Sequence, residues 1–388
     1  MNGGSGECGV EFRGVAFPRA VAVLRFYRGT THSTDERYIM TAIPDRFPDP
    51  TQSRVYDSVL DLIGNTPLVR LNVLTDGIPG TVYVKLDHYN LGGSSKDRIG
   101  LHLVRNAVAT GELSPGDRII ETGQGNTSIG LAVAGLLLGN SSTVIAKPDL
   151  SPQKLSLLRL LGADVVPGRL DVEKSDPEHA WLIAEEHERA DDSIWWPRQQ
   201  SAHANPDAHY ASTGPEIWHQ TEGRVTHFLA AIATGGTVSG TGRFLHEQNA
   251  DIQVIGTTFD LPQKPWADAA LNKTFHRLPG YEDLEPDWPD NIDLNAIDRL
   301  EARTKSEIID FGFELARTEG LLLGPSSVLS VKVALQLAAQ SGPDDVFVVF
   351  SADHARDYTS AEYDEDWLRT HDFADIADRR FGSGPEQS

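Results

Sequence analysis

Short hydrophobic runs alternate with longer amphipathic stretches along most of this chain, from about residue 55 onward. Runs rich in β-branched and aromatic residues are typical of strands. They lie at 81–86, 118–121, 143–147, 164–167, 226–233, 252–259 and 346–350. Apolar residues at helical spacing occupy the stretches between them, at 97–111, 127–139, 152–162, 176–190, 207–221, 237–248, 303–320 and 326–341. This alternation predicts mostly parallel sheets covered by helices on both faces.

The strand and helix patterns form two groups, one before and one after "WWPRQQ" near residues 195–200. Two α/β domains with a cleft between them are therefore predicted, and ligands of such sheets bind beyond the carboxyl ends of the strands. Residues 1–54 lack the alternation and are predicted to be a poorly ordered extension. The stretch 261–295 is rich in Pro, Asp and Trp, which predicts a long irregular connection, and residues 371–388 are predicted to be a tail.

The composition of the 388 residues is ordinary for a globular protein, but the charge is not. A net charge of −22 arises from 56 acidic and 34 basic residues, which argues against nucleic acid and anionic membranes as partners. Cys8 is the one cysteine, so an intrachain disulfide and a Cys-based metal cluster are excluded. No apolar stretch approaches the ~18 residues of a membrane span, and no signal peptide is predicted. We expect a cytoplasmic protein without a metal.

The loop "NLGGSSKDR" follows a predicted strand and opens a predicted helix, with Lys96 in the first turn. The positive end of the helix dipole disfavours an ammonium ion there. That cost disappears when the lysine is condensed with an aldehyde as a Schiff base. A plain surface lysine is the alternative interpretation of this loop on its own.

The loop "ATGGTVSGTGR" lies between an apolar strand and a helix. Thr234, Gly235, Gly236 and Thr237 would present backbone N–H groups and two hydroxyls at a helix N-terminus, which is typical of a phosphate site. The lysine of a nucleoside-triphosphate loop is absent, and so is a strict G-x-G-x-x-G fingerprint. The alternative is a merely tight turn between strand and helix.

Two further loops bring polar groups to helix starts. In "ETGQGNTSIG", Gly123 and Gly125 free the backbone and the N–H groups of 123–128 converge, which suits a carboxylate. In "GLLLGPSSVLSV", capping accounts for one of Ser326 and Ser327 and leaves the other hydroxyl for a ligand. A Schiff-base lysine, a phosphate site, a carboxylate site and a directed hydroxyl together predict pyridoxal phosphate with an amino-acid substrate.

Six motifs, in order, resemble the cysteine synthase and cystathionine β-synthase family of fold-type II pyridoxal phosphate enzymes. They are "VLDLIGNTPLVRL", "NLGGSSKDR", "GNTSIGLA", "HYASTGPEIW", "ATGGTVSGTGR" and "GLLLGPSS". The resemblance covers about residues 55–370. It implies a smaller domain of residues 55–67 and 91–200, a larger one of 68–90 and 201–370, and a homodimer. "SPQKLSLLRLLGADV" and "DHARDYTSAEYDEDWL" are more similar to the 2,3-diaminopropionate synthases.

The resemblance also implies roles for individual residues. Lys96 would form the Schiff base and move the α-proton, and Asn126 would bond the phenolic oxygen of the cofactor. Thr234, Gly235, Gly236 and Thr237 would hold its phosphate, and Ser326 would face the pyridine nitrogen. Gly123, Gln124, Gly125 and Thr127 would bind the substrate carboxylate, and Gln199 or Gln200 matches a glutamine that assists there.

The carboxylate loop departs from the family pattern, which is usually Thr-Ser-Gly-Asn-Thr-Gly. Here Gly123 and Gln124 replace two hydroxyl residues, and "ETGQGN" is similar to the loop of tryptophan synthase β chains. Those chains belong to the same fold type and hold the carboxylate through backbone N–H groups. Carboxylate binding is expected to persist, while Gln124 beside Cβ is expected to alter the donor or nucleophile.

The implied activity is β-substitution on an L-serine derivative through an aminoacrylate, forming a cysteine-like or non-standard amino acid. The donor would be O-acetylserine, O-phosphoserine, serine or cysteine, and the nucleophile a small molecule. A β-eliminating lyase that releases pyruvate and ammonia is the nearest alternative. A catalytically silent scaffold is an alternative of another class, which the retention of Lys96, Asn126 and Ser326 disfavours.

Overall fold

The computed structural model describes residues 22–27, 37–42, 55–123, 125–148, 150–259 and 290–382. The chain divides into two units, residues 1–55 and residues 56–388. In the first unit, strands β1 (Ala22–Tyr27) and β2 (Arg37–Ala42) pair antiparallel, with Ala22 opposite Ala42. The sequence predicts only a poorly ordered extension for residues 1–54, and the remainder of that extension lies outside the described residues. Most of the predicted connection 261–295 also lies outside them.

The second unit alternates strands with helices. Its described strands are β3 (Leu68–Arg70), β4 (Thr81–Leu86), β5 (Arg118–Gly123), β6 (Ser141–Ala146), β7 (Asp164–Pro167), β8 (Ile194–Trp195), β9 (His227–Ala231), β10 (Gln253–Phe259), β11 (Arg299–Arg303) and β12 (Val346–Ser351). Its described helices are α1 (Lys96–Thr110), α2 (Asn126–Leu136), α3 (Pro152–Leu160), α4 (Ala180–Ala190), α5 (Ala204–Ala211), α6 (Thr213–Gln220), α7 (Gly236–Gln248), α8 (Lys305–Glu319), α9 (Pro325–Ala338), α10 (Glu365–Thr370) and α11 (Ala374–Phe381).

The larger sheet has the strand order β11-β10-β9-β12-β4-β3, and its neighbours are parallel except for β3 against β4. Every residue of β12 is buried, because helices cover both faces. Val349 packs in one core cluster with residues of α8 and α9. Val348 packs in another with residues of α6 and α7. The loops that follow β9, β10 and β12 therefore emerge together at the carboxyl ends of the buried central strands.

The smaller sheet has the order β7-β6-β5-β8, and the strands are all parallel. Ile119 of β5 packs with residues of α1 and α2, while its neighbour Ile120 packs on the opposite face with residues of α4. Helices α1 and α2 cross at Gly100 and Gly130, where their backbones are close. A Cβ added at Gly130 would lie 2.5 Å from the carbonyl oxygen of Lys96. The start of α1 is thereby packed directly against α2.

Most predicted elements are present, with shifted ends. The predicted strands at 81–86 and 164–167 coincide with β4 and β7, whereas the predicted helix 207–221 is two helices that break at Ser212. Strands β3, β8 and β11 were not predicted. The first two have three and two residues, and β11, "RLEAR", is an edge strand of five residues without the β-branched or aromatic residues typical of strands. The predicted tail contains α11, which buries Ile376 and Ala377.

A buried ionic network links α1 to the end of β4 and to α6. Arg98 donates two hydrogen bonds to Asp87, of 2.7 and 2.9 Å, and two to Glu216, of 2.6 and 2.8 Å. The fully buried Lys85 of β4 also donates to Glu216, at 2.6 Å. Each charge has an opposite partner, which buried charges require. The network joins residues that the sequence assigns to both predicted domains. The division into two domains stays a prediction.

Candidate active site

A cavity of about 160 Å³ lies at the carboxyl ends of β9, β10 and β12. The N-termini of three helices, α1, α7 and α9, also reach it. Five residues singled out from the sequence line it, namely Lys96, Thr234, Gly235, Thr237 and Ser326. Residues that lie far apart in the chain thus share one cavity, at the edge of the sheet where parallel α/β folds bind ligands.

Lys96 is the first residue of α1 and lines the cavity. The turn before it is held by two bonds: the N–H of Ser95 donates to the carbonyl of Ala352 at 2.8 Å, and the N–H of Lys96 donates to Ser94 Oγ at 3.2 Å. Burial lowers the pKa of the Lys96 amino group, although the negative charges of Asp353 and Asp87 oppose this change. An uncharged amine is the nucleophilic form that condenses with an aldehyde.

The loop between β9 and α7 forms another part of the cavity wall. Gly235 has φ = +84°, and a Cβ there would lie 2.8 Å from Cβ of Ile292. A Cβ at Gly236 would lie 2.0 Å from Oδ1 of Asn205. Both positions therefore require glycine, and the first N–H groups of α7 have no partner within the helix. Such an N-terminus suits a phosphate.

Two buried side chains hold this loop from behind. Asn205 Nδ2 donates to Thr234 Oγ1 at 3.2 Å and to the carbonyl of Gln199 at 2.9 Å. Nε2 of His209 lies 3.1 Å from Thr237 Oγ1. Burial lowers the pKa of His209 to about 3, so its imidazole is neutral at physiological pH. Neither residue was singled out from the sequence as part of the site, although His209 begins the motif "HYASTGPEIW".

The loop between β5 and α2 lies at the edge of the smaller sheet. Gly125 precedes α2 with φ = +106°, and a Cβ there would lie 2.7 Å from Cδ of Lys154. Thr127 Oγ1 donates to Gln199 Oε1 at 2.9 Å, so two of the predicted carboxylate residues are in contact. Gln124 lies outside the described residues. None of these side chains is among the residues that line the 160 Å³ cavity.

Asn126 is the first residue of α2 and contacts a residue that the sequence analysis missed. Its Nδ2 donates to Asp353 Oδ2 at 3.0 Å, and the hydroxyl of Tyr358 donates to the same oxygen at 2.8 Å. Asp353 lies within "DHARDYTSAEYDEDWL", a stretch noted only for its likeness to other enzymes. The contact spans 227 residues of sequence, so no local pattern could have indicated it.

Comparison with known proteins identifies the family. A family model described as "Pyridoxal-phosphate dependent enzyme" matches residues 59–352. The chain belongs to this family. It is 33% identical to cysteine synthase B of Pseudomonas aeruginosa over 308 residues, which cover 79% of this chain and 97% of that protein. It is 32% identical to cystathionine β-synthase of Apis mellifera over 330 residues, which cover 83% of this chain and 64% of that protein.

A solved structure is similar as well. The crystal structure of O-ureido-L-serine synthase aligns with a TM-score of 0.70 and 28% identity, covering 86% of this chain and 98% of that one. These matches confirm the resemblance to the cysteine synthase and cystathionine β-synthase family and the predicted α/β fold of type II. The protein is a pyridoxal-phosphate-dependent enzyme of the cysteine synthase type. Among the described residues, no helix is long and apolar enough to cross a membrane.

The cavity fits pyridoxal phosphate in three respects. The amino group of Lys96, whose pKa burial lowers, suits the cofactor's aldehyde. The start of α7, where Asn205 Oδ1 leaves no room for a Cβ at Gly236, suits its phosphate. The half-buried Ser326 lines the cavity from the first turn of α9, while the neighbouring Ser327 Oγ accepts the N–H of Ala352 at 3.0 Å and so has a structural contact.

A buried carboxyl group beneath the β5–α2 loop was also missed. Glu121 is 2% exposed, and its Oε2 has no hydrogen-bond partner among the described residues. Burial raises the pKa of this carboxyl to about 8, so it is protonated at neutral pH. The residue begins the quoted loop "ETGQGNTSIG", but nothing in the sequence distinguishes a buried glutamate from an exposed one.

Proposed function

We propose that the protein catalyses β-substitution on an L-serine derivative, with O-acetylserine, O-phosphoserine, serine or cysteine as donor. The observation that carries the proposal is that Lys96 and the glycine-rich start of α7 line the same cavity. Pyridoxal phosphate, when bound, supplies an aldehyde that condenses with amines and a ring that withdraws electrons from the substrate Cα. The family match and the cysteine synthase relative agree with this chemistry.

In this proposal Lys96 attaches the cofactor and later carries the proton taken from the substrate Cα. The cofactor phosphate is bound by Thr234, Gly235, Gly236 and Thr237. Asn126 bonds the phenolic oxygen, and Ser326 faces the pyridine nitrogen. A neutral hydroxyl does not keep that nitrogen protonated as a carboxylate would, and this favours prompt loss of the β-substituent.

The substrate carboxylate would bind at the start of α2, through the N–H groups of the segment 123–128. The first N–H groups of α2 have no partner within the helix, and the helix dipole favours an anion there. Thr127 and Gln199 already bond each other at 2.9 Å, and both would turn toward the carboxylate. Gln124 completes the proposed set of substrate residues, together with Gly123 and Gly125.

A donor screen tests the function. The purified protein should absorb visible light through its bound cofactor, and Lys96→Ala should lose that band. We expect one of the four donors, added singly, to change the spectrum of the wild type. Sulfide, a thiol, an amine and an amino acid are then tested as nucleophiles. A colourless wild type, or a spectrum that none of the donors alters, would refute the proposal.

The same assay distinguishes the β-eliminating lyase. A lyase releases pyruvate and ammonia at full rate without a nucleophile, whereas a β-substitution enzyme releases them slowly and forms a new amino acid when the nucleophile is present. A protein that binds the cofactor but processes no donor would match the scaffold alternative.

The specificity part of the proposal concerns the altered carboxylate loop. Replacing Gly123 by Thr and Gln124 by Ser restores the hydroxyl residues usual in the family. We expect the relative kcat/KM values for the four donors, or for the nucleophiles, to change by at least about tenfold. Unchanged ratios would mean that this loop does not decide specificity. A product outside primary metabolism, as in the 2,3-diaminopropionate synthases, is our preferred interpretation.

We also infer a homodimer and a cytoplasmic location. The homodimer follows from the family, and the location from the single cysteine, Cys8. Light scattering of the purified holoenzyme tests the first inference, and fractionation of cells that express the protein tests the second.

A further inference from the structure

Asp353 lies just past the end of β12, beside the cavity but not on its wall. The preceding residue, Ala352, lines the cavity. Asp353 is 5% exposed, and its carbonyl accepts the N–H of Gly324 at 3.1 Å. Its carboxylate is therefore held between the start of α9 and the start of α2, where water does not reach it freely.

The two oxygens of this carboxylate have different surroundings. Oδ2 accepts hydrogen bonds from Asn126 Nδ2 at 3.0 Å and from the Tyr358 hydroxyl at 2.8 Å. Oδ1 is buried and has no hydrogen-bond partner among the described residues. It points toward Gly324, where a Cβ would lie 2.0 Å away. The carboxylate thus accepts hydrogen bonds through one oxygen, and one of the two donors is Asn126.

An amide side chain has a donor end and an acceptor end, and its neighbours decide which way it faces. Oδ2 accepts two hydrogen bonds, so the Nδ2 end of Asn126 must face Asp353. One N–H of that group is used by Asp353, and the second remains available. A phenolic oxygen, which is an acceptor when ionised, would receive this second N–H, whereas a flipped amide would present its own oxygen and repel it.

We propose that Asp353 is a positioning residue that orients the amide of Asn126, so that its free N–H bonds the phenolic oxygen of pyridoxal phosphate. The inference rests on the proposed function only in the role given to Asn126. Asp353 itself touches neither cofactor nor substrate in this proposal. It acts by fixing the direction of one hydrogen bond in a buried site, where a polar group without a partner is destabilising.

The test compares Asp353→Ala, Asp353→Asn and Asn126→Ala by two readouts that need no turnover. These are the position of the visible absorbance band of the bound cofactor and the dissociation constant measured by titrating the apoenzyme. We expect Asp353→Ala to move the band in the same direction as Asn126→Ala and to weaken cofactor binding about tenfold. Asp353→Asn should stay within twofold of the wild type, because its amide oxygen still accepts both bonds.

The double variant Asp353→Ala/Asn126→Ala separates positioning from a structural role. If Asp353 acts only through Asn126, the double variant should match Asn126→Ala alone, since effects of coupled residues do not add. Additive effects would overturn the proposal. An Asp353→Asn variant as damaged as Asp353→Ala would also overturn it, because charge rather than amide orientation would then be at work.

Tyr358→Phe is the matched control, since it removes the other donor to the same oxygen and leaves the Asn126 bond in place. We expect its band and affinity to stay within twofold of the wild type, and a loss as large as that of Asp353→Ala would contradict the proposal. Circular dichroism and thermal unfolding of the apoproteins check folding. If Asp353→Ala does not fold, Asp353→Leu fills the space without accepting a hydrogen bond and replaces it.

Failure of this inference is distinguishable from failure of the proposed function. If Asn126→Ala shifts the band but Asp353→Ala does not, the positioning role is wrong and the proposed function stands. If Asn126→Ala has no effect on band or affinity, the role of Asn126 is wrong and the positioning role falls with it. The donor screen is independent of both outcomes.

Discussion

Two loops in this protein have the same local design and different surroundings. The phosphate loop, residues 234–237, and the carboxylate loop, residues 123–127, each follow a buried parallel strand, pass through glycine at positive φ and open a helix. The phosphate loop is held by two fully buried side chains, Asn205 and His209. Between described residues of the carboxylate loop and the rest of the protein, the side-chain hydrogen bonds are Thr127 to Gln199 and Asn126 to Asp353.

The two loops also differ in how much space surrounds their glycines. The phosphate loop has no spare volume, because a Cβ at Gly236 would lie 2.0 Å from Asn205 Oδ1. The carboxylate loop is tight at Gly125, where a Cβ would lie 2.7 Å from Lys154 Cδ, but it has room at Gly123, where a Cβ would meet only Glu121 Oε1, at 3.6 Å. Changes in the first loop should therefore damage folding and cofactor binding together, while changes in the second should mainly alter substrate use.

Among the substitutions in the two loops, alanine at Gly236 should have the largest effect. The added methyl group must displace Asn205 or the start of α7, and such overpacking costs about 3 kcal/mol in the free energy of unfolding. Cofactor affinity should fall with it. Gly123→Ala is the matched control, at about 0.5 kcal/mol or less. Denaturant unfolding of both apoproteins measures the two effects. An equal fall in the free energy of unfolding for the two variants would contradict the proposed difference between the loops.

Asn205→Ala should have the next largest effect. It removes the hydrogen bonds to Thr234 and to the carbonyl of Gln199 and leaves Thr234 Oγ1 unsupported. We expect the free energy of unfolding to fall by about 2 kcal/mol and the cofactor dissociation constant to rise about tenfold. Titration of the apoenzyme with pyridoxal phosphate tests this, and an unchanged constant would show that the phosphate loop needs no such support.

The contributions of His209 and Glu121 to the free energy of unfolding should depend on pH in opposite directions. His209 has its pKa lowered to about 3, so the unfolded chain binds a proton below pH 6.5 that the folded protein does not. Its contribution to stability is present above pH 6.5 and is lost as the pH falls toward 3. Glu121 has its pKa raised to about 8, so its contribution is present below pH 4.5 and is lost as the pH rises through 8.

Each group should change the free energy of unfolding by about 1.4 kcal/mol per pH unit within its window. The difference in stability between wild type and His209→Gln should therefore vary with pH between 3 and 6.5 and be constant at higher pH. For Glu121→Gln the difference should vary between pH 4.5 and 8. Unfolding of the apoproteins at several pH values measures both, and a flat difference for either variant would contradict the corresponding pKa.

The smallest expected effect is that of Thr127→Val. The change removes the hydrogen bond to Gln199 and nearly preserves the side-chain volume. The free energy of unfolding should fall by about 1 kcal/mol. We expect the KM for the donor to rise about fivefold while the cofactor dissociation constant stays within twofold. A parallel loss of cofactor affinity would indicate that the two loops do not work separately.

Much of this could be predicted from the sequence, because the signals are local. Lys96 at a helix start, the glycines of both loops and the alternation of strands with helices depend on residues close together in the chain. The lysine and the phosphate loop were expected to share a ligand, and both line one cavity. The edge strand β11 was missed because its five residues include none of the β-branched or aromatic residues by which strands were predicted.

The sequence by itself determined the fold class, the cofactor and the loops that begin the helices, because glycine conformation and helix starts are short-range properties. Only the tertiary structure decided which side chains support those loops. Thr237 meets His209 across 28 residues, and Asn126 meets Asp353 across 227. It also decided that Glu121 is protonated and His209 neutral, because a pKa is set by burial and by neighbours that the chain brings together only on folding.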